Sequence, residues 1–335
     1  LSRKFKNIAA DKNLEVLVNL LRKRKGLSQL LGYETFAAYV LENRMAKNPS
    51  AVWDFENTLR EKVNRKAKKD YEKLLEKKKQ RHNQRSQKIE PWETTYYKTL
   101  LLREDYQLDD EKVKQYFELD RVIEGLFGVA GKLFGLEFKE VEAPSVWHED
   151  VRLFEEYSNE ELTGRFYLDL FPRDNKFNHA ACFTIIPGKE TDKGYQKPTA
   201  ALVTNFPRPT ENSPSLLPHS DVVTLFHEFG HLMHDLLTKA PLSAQSGTST
   251  KRDFVEVPSQ LFEHWAWEYE SLSNFARHYQ TGEPIPGDLH QKMVDTKNVG
   301  SGLFGLQQIF YAMLDMTFHD RYDPDNDPRS TTEIV

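Results

Sequence analysis

The chain has 335 residues, of which 39% are hydrophobic and 29% charged, the composition of a soluble globular protein with one large domain or two ordinary ones. A net charge of -5 gives no support to nucleic-acid binding. No stretch reaches the roughly 20 apolar residues that span a bilayer. The single cysteine, Cys182, excludes an intramolecular disulfide and favours a reducing compartment. The opening LSRKFKNIAADK has neither an initiator Met nor the apolar core of a signal peptide, so the chain is read as a fragment or a processed product.

In chain order, NLEVLVNLLRKRKGL has apolar residues at helical spacing, with Gly26 near its end. LGYETFAAYVLENRMA repeats the pattern until Asn48-Pro49 closes it, and a further helix is predicted over 50–86, stopped by Pro91. Residues 60–90 hold 13 Lys or Arg against 5 Asp or Glu. This run is read as a long solvated helix docked by Val63, Leu74 and Leu75. A polyanion surface is the lesser reading, because beyond Tyr71 no aromatic residues interleave. The division between parts is placed at 88–92, giving a helical segment with the basic helix over 1–90 and a catalytic region over 91–335. Residues 93–135 are helical again with interruptions. Their glycines (Gly125, Gly128, Gly131, Gly135) suggest close packing or turns.

The texture changes near 145. GRFYLDLFP, HAACFTIIP and TAALVTNFP are short, rich in β-branched and aromatic residues, and end at proline, so three strands of a small sheet are predicted at 164–172, 179–187 and 199–207. Helices follow over 219–238, with Ser220 or Asp221 as N-cap, and over 254–280 and 300–320.

The chemistry is concentrated in VVTLFHEFGHLMHDLL. His227 and His231 lie one turn apart on one helical face, where two imidazoles can share a zinc ion. Glu228 follows the first ligand and can reach a water on the metal, take its proton and pass it to the leaving nitrogen. The His-Glu-x-x-His pattern alone is moderately specific. The apolar helix around it (Val222, Val223, Leu225, Phe226, Phe229, Leu232) makes three polar groups costly unless they have a partner. Gly230, a poor helix former, suggests that another element comes close. A third ligand is required. His234 is about 10.5 Å along the axis from His227 and is read as structural or supporting. RDFVEVPSQLFEHWAWE offers Glu256 and Glu263, seven residues apart on one face. One can bind zinc while the other orients a histidine, and chemistry alone does not choose between them. Asp253 and Glu268 are weaker candidates, read as caps or surface charges.

HEFGHLMH followed by SGTSTKRDFVEVPSQLFEHWAWE resembles the thimet oligopeptidase family. LLGYETFAAYVLENRMAK, VWHEDVRLFE, GRFYLDLFPRDNKFNHAACF and NFPRPTENSPSLLPHSDVVTLFHEFGH extend the resemblance, in order, from about Leu27 onward. It implies a mainly α zincin-type peptidase, with a small β-sheet beside the active-site helix and two domains walling a channel. It also implies that Glu256 is the third zinc ligand, which leaves Glu263 to support a histidine. A strand edge near 179–183 would accept an extended substrate. His179 would lie near the site, with a core histidine as the alternative. Gly247 and Thr248 would touch substrate, with an ordinary turn as the alternative. Family members continue into a segment with a histidine and clustered tyrosines that this chain, ending TFHDRYDPDNDPRSTTEIV, does not contain. The chain is therefore read as an internal portion, incomplete at its C-terminus. The expected function is zinc-dependent hydrolysis of internal bonds in short peptides, with one Zn²⁺ per chain. The alternative is a catalytically impaired fragment or peptide-binding remnant of such an enzyme. Neither nucleic acid nor membrane is expected as a partner. The compartment is expected to be cytoplasmic, with the mitochondrion as alternative; the oligomeric state and natural peptide are left open.

Overall fold

A computed structural model describes residues 4–5, 7–82 and 88–335. Its longer helices in chain order are α1 (Ala10–Leu30), α2 (Phe36–Leu41), α3 (Pro49–Arg81), α4 (Thr94–Asp105) and α5 (Leu119–Phe134). Strands follow: β1 (Leu136–Val141), β2 (Arg152–Ser158), β3 (Glu161–Asp169), β4 (Ala181–Ile186), β5 (Lys189–Thr191), β6 (Gly194–Gln196) and β7 (Thr199–Val203). The chain then returns to helix in α6 (His219–Leu236), α7 (Arg252–Glu263), α8 (Tyr269–Phe275), α9 (Gly287–Thr296) and α10 (Ser301–Met316). The fold is mainly α with a small mixed sheet, as expected. The end of the helix predicted over 50–86, and part of the basic run, lie at 83–87, outside the described residues. Among the described residues no helix is long and apolar enough to cross a membrane.

The chain forms two compact units. One comprises Leu1–Gln107 with Asp295–Val335, the other Leu108–Val294. The division placed at 90/91 from sequence falls inside the first unit, where α10 returns to pack along α3. In that unit Asn48 caps α3 by accepting the Ala51 N–H at 2.9 Å, and Pro49 opens the helix where no intrahelical donor is needed. Buried Asp70 on α3 accepts the Gly302 N–H at 2.9 Å, satisfying a first-turn donor of α10 that has no partner within its own helix. Trp53 donates Nε1–H to Asp320 at 2.8 Å, and the Arg321 guanidinium lies 3.6 Å over its ring. Several cations of the basic run are engaged locally: Lys66 with Asp70, Lys77 with Glu104 and Asp105, Lys78 with Glu93, and Arg81 with Glu104.

The second unit holds a five-stranded sheet of order β1-β2-β3-β7-β4 and a two-stranded β5-β6 hairpin. Every pairing in the larger sheet is antiparallel except β3 with β7, and β1 and β4 are the edge strands. β3, β4 and β7 match the three predicted strands. β1 and β2 were not predicted, because their charged residues (Lys139, Glu140, Glu155, Glu156) hide the apolar alternation. The β5-β6 hairpin falls between the second and third predicted strands, where the sequence analysis places no element. The predicted helix over 254–280 is broken into α7, a short 3-10 turn at His264–Ala266, and α8. The N-cap of α6 is Pro218, and neither Ser220 nor Asp221 fills that position. The Pro218 carbonyl accepts from Asp221 and Val222, and Asp221 sits in the first turn, where its charge suits the helix dipole. An aromatic cluster of Phe127, Phe138, Phe154, Phe166 and Phe229 joins α5, β1, β2 and β3 to α6. Phe166 and Phe229 are fully buried, so the functional helix is seated on the sheet by the core itself.

Candidate metal centre

α6 is apolar around most of its circumference, and α7 crosses it at Gly230. A Cβ at Gly230 would lie 2.6 Å from the Pro258 carbonyl oxygen and 2.6 Å from Ser259 Cα. The backbones therefore approach as only glycine allows. This crossing carries the α7 carboxylates onto the two histidines of α6.

Glu256 Oε2 lies 3.2 Å from His227 Nε2 and 3.2 Å from His231 Nε2. The two rings are 5.0 Å apart and nearly perpendicular, at 83°. Three ligands bonded tetrahedrally to zinc at about 2.0–2.1 Å stand about 3.3 Å from one another, so the spacing fits that ion. Among the described residues this is the one group of three His, Cys, Asp or Glu side chains whose ligand atoms lie within 4.8 Å of one another. Ser259, three residues along α7, donates to Glu256 Oε2 at 2.8 Å and fixes the carboxylate. Glu256 is half exposed, which leaves the centre open on one side. Glu263 Oε1 lies 2.8 Å from His227 Nδ1. A proton on Nδ1 donated to Glu263 leaves the Nε2 lone pair facing inward.

Burial pushes the His231 imidazolium below its ordinary range, although Glu256 pulls the other way. That favours the neutral ring that metals bind. His231 Nδ1 is buried without a hydrogen-bond partner. Burial raises the Glu228 carboxyl, and Glu256 raises it further, while the neighbouring His227 offsets part of the rise. Glu228 is thus a buried carboxylate.

The other candidates are distributed as follows. His179 is exposed on the segment before β4, its ring 5.8 Å from Phe177. His234 turns its ring toward Phe254 at 6.1 Å and keeps a buried Nδ1 without a partner. Gly247 is buried with φ 52°, and Thr248 gives its N–H and its hydroxyl to Asp235. Asp253 sits in the first turn of α7, and Glu268 stands at the N-cap of α8. Sequence reasoning passed over Ser259, Thr184 and Asp235. Only Ser259 carried a local signal, its i+3 spacing from Glu256.

The profile of peptidase family M3 matches residues 1–335. The chain is 38% identical over 320 residues to a thimet-like oligopeptidase of Dictyostelium discoideum, covering 92% of this chain and 48% of that protein. It is 38% identical over 316 residues to oligopeptidase A of Escherichia coli (93% and 46%), and 36% identical over 327 residues to the human mitochondrial intermediate peptidase (96% and 45%). The chain spans about half the length of the curated relatives it matches.

Proposed function

The chain belongs to peptidase family M3, a family of metallopeptidases, and from that premise we propose that it hydrolyses internal bonds of short peptides with zinc held by His227, His231 and Glu256. The observation that carries this reading is the meeting of both histidine Nε2 atoms with one Glu256 oxygen, at 3.2 Å each.

Bound there, zinc supplies a lowered pKa for water and polarisation of the scissile carbonyl. The chain's own residues supply the rest. Glu263 holds a proton at His227 Nδ1 and so fixes the tautomer whose Nε2 is free to coordinate. Ser259 orients the Glu256 carboxylate. Glu228 is the general base. Its carboxylate takes the proton of the attacking water and delivers it to the leaving amide nitrogen. Burial of Glu228 supports this role, because it brings the carboxyl closer to neutral pH than an exposed glutamate.

The test is made on the full-length protein. Zinc should be present at one ion per chain, and turnover of an internally quenched short peptide should vanish on chelation and return on adding zinc. Chelator-insensitive cleavage at the wild-type rate would remove the metal from the account.

A further inference from the structure

The end of α7 is held by a side chain from the start of the metal helix. His219 opens α6, and its ring Nε2 lies 2.7 Å from the Ala266 carbonyl oxygen. A carbonyl only accepts, so the ring nitrogen donates. Ala266 closes the 3-10 turn His264–Ala266 that follows α7, where backbone carbonyls run out of helical donors. The His219 ring is seated for this bond. It stands edge-on to Trp267 at 4.4 Å and lies 5.5 Å from the fully buried Phe117. The next carbonyl, that of Trp267, accepts from His290 Nε2 on α9 at 2.8 Å.

α6 and α7 run antiparallel, as the order of their contacts shows. Ala266 meets His219, Glu263 meets His227, Pro258 and Ser259 meet Gly230, and Glu256 meets His231. The pair is pinned at two points, the glycine crossing and the His219–Ala266 bond, and the His227–Glu263 contact lies between them. Glu263 is the last residue of α7, where helices fray, and His219 anchors the turn that follows it. Glu256 lies on the far side of the crossing, beyond Pro258, and has its own bond from Ser259. The two glutamates therefore depend on different supports.

We propose that His219 is a positioning residue of the metal centre: by pinning Ala266 to the first turn of α6, it holds Glu263 against His227 Nδ1 and so keeps the Nε2 lone pair of that ring turned inward. This rests on the zinc peptidase reading for its effect on metal affinity but not for its geometry. With the pin cut, the turn stays attached to α9 through His290, and the end of α7 relaxes without unfolding. Glu263 then drifts from His227 while Glu256 keeps its place. The same three ligands hold zinc more weakly, because the His227 ring is no longer fixed in the coordinating tautomer.

The test uses the full-length protein. His219→Phe keeps an aromatic ring and removes the donor. His219→Gln offers an amide N–H in place of Nε2–H. His219→Ala carries the test if the phenylalanine variant does not fold. Zinc affinity is measured by competition with a chelator, for each variant alone and combined with Glu263→Ala. The His227 tautomer is read by nitrogen NMR of histidine-labelled, zinc-free protein. His219→Phe should weaken zinc binding by about 10-fold, the lower end of the cost of losing a partner behind a metal-bound histidine, and His219→Gln should recover most of the loss. In the Glu263→Ala background the same substitution should cost almost nothing further, because the pin acts through that carboxylate. Wild-type affinity in His219→Phe overturns the proposal. So does an equal loss with and without Glu263, which is what a residue that only stabilises the fold would give. A wild-type protein that takes up no zinc sinks the metal reading instead, and the spectra then decide the pin: it stands if His219→Phe turns the His227 Nδ1–H form into a mixture of tautomers, and falls if the tautomer is unchanged.

Discussion

Glu263 holds His227 from behind: its Oε1 lies 2.8 Å from Nδ1, while Nε2 of the same ring faces Glu256 Oε2 at 3.2 Å. One histidine thus touches both glutamates of α7, through opposite nitrogens. Glu263→Ala should weaken zinc binding by about 10- to 100-fold, the usual cost of losing a partner behind a metal-bound histidine. Glu263→Gln, which can still accept from Nδ1–H, should lie between the two. Competition for zinc with a chromogenic chelator measures it, and wild-type affinity in Glu263→Ala would show that the bond does not tune the ligand.

The metal and the base should separate by mutation. Glu228→Gln preserves size and should leave zinc content intact while lowering kcat by about 10²–10⁴-fold, the range of general-base catalysis. His227→Ala should lose the metal itself. Zinc stoichiometry measured beside turnover distinguishes them, and a metal-loaded Glu228→Gln with full activity would show that another group takes the proton.

Gly230→Ala should damage stability and metal binding together. The added methyl meets the backbone of Pro258 and Ser259 at 2.6 Å, where no flexible side chain can yield. Overpacking of this kind costs about 1–3 kcal/mol, and relief by parting α6 from α7 carries Glu256 away from the histidines. A lower melting temperature with weaker zinc binding is the expected pair of results; a change in neither would mean that the crossing has slack.

Glu156 on β2 makes stability depend on pH. It is fully buried, its Oε1 accepts from Thr163 at 2.7 Å, and its Oε2 has no partner. Burial raises the carboxyl from 4.5 to about 7. A raised pKa means that the folded state keeps a proton the unfolded chain has released. Stability is therefore lost as pH climbs from 4.5 toward about 7, and the loss is complete above that. The gap corresponds to about 3 kcal/mol. Glu156→Gln, which cannot ionise, should gain on the wild type as pH rises from about 5 to about 8. Parallel denaturation curves at the two pH values test this, and a constant difference between the proteins would rule it out.

The sequence by itself determined what depends on neighbours along the chain. The helix carrying His227, Glu228 and His231, the Asn48-Pro49 start of α3 and the apolar strands β3, β4 and β7 follow from spacing within a few residues, which local sterics and hydrogen bonding enforce. The sequence also narrowed the third ligand to Glu256 or Glu263 without separating them, because residues seven apart share a helical face. Only the tertiary structure decided how the two meet the histidines. That outcome depends on where α7 crosses α6, set by the missing side chain of Gly230 against Pro258 and Ser259. β1 and β2 became strands through pairing across the sheet despite their charged residues, and the 295–335 segment joined the first unit through contacts with α3 more than two hundred residues away in sequence. Asp235 is the clearest case. Beside His234 it reads as one more polar residue at a helix end, and its partners Thr184 and Thr248, 51 and 13 residues away, are found only when β4 and the loop at Gly247 are folded against it. Contacts of that range leave no local pattern, because their geometry exists only once the chain has closed on itself.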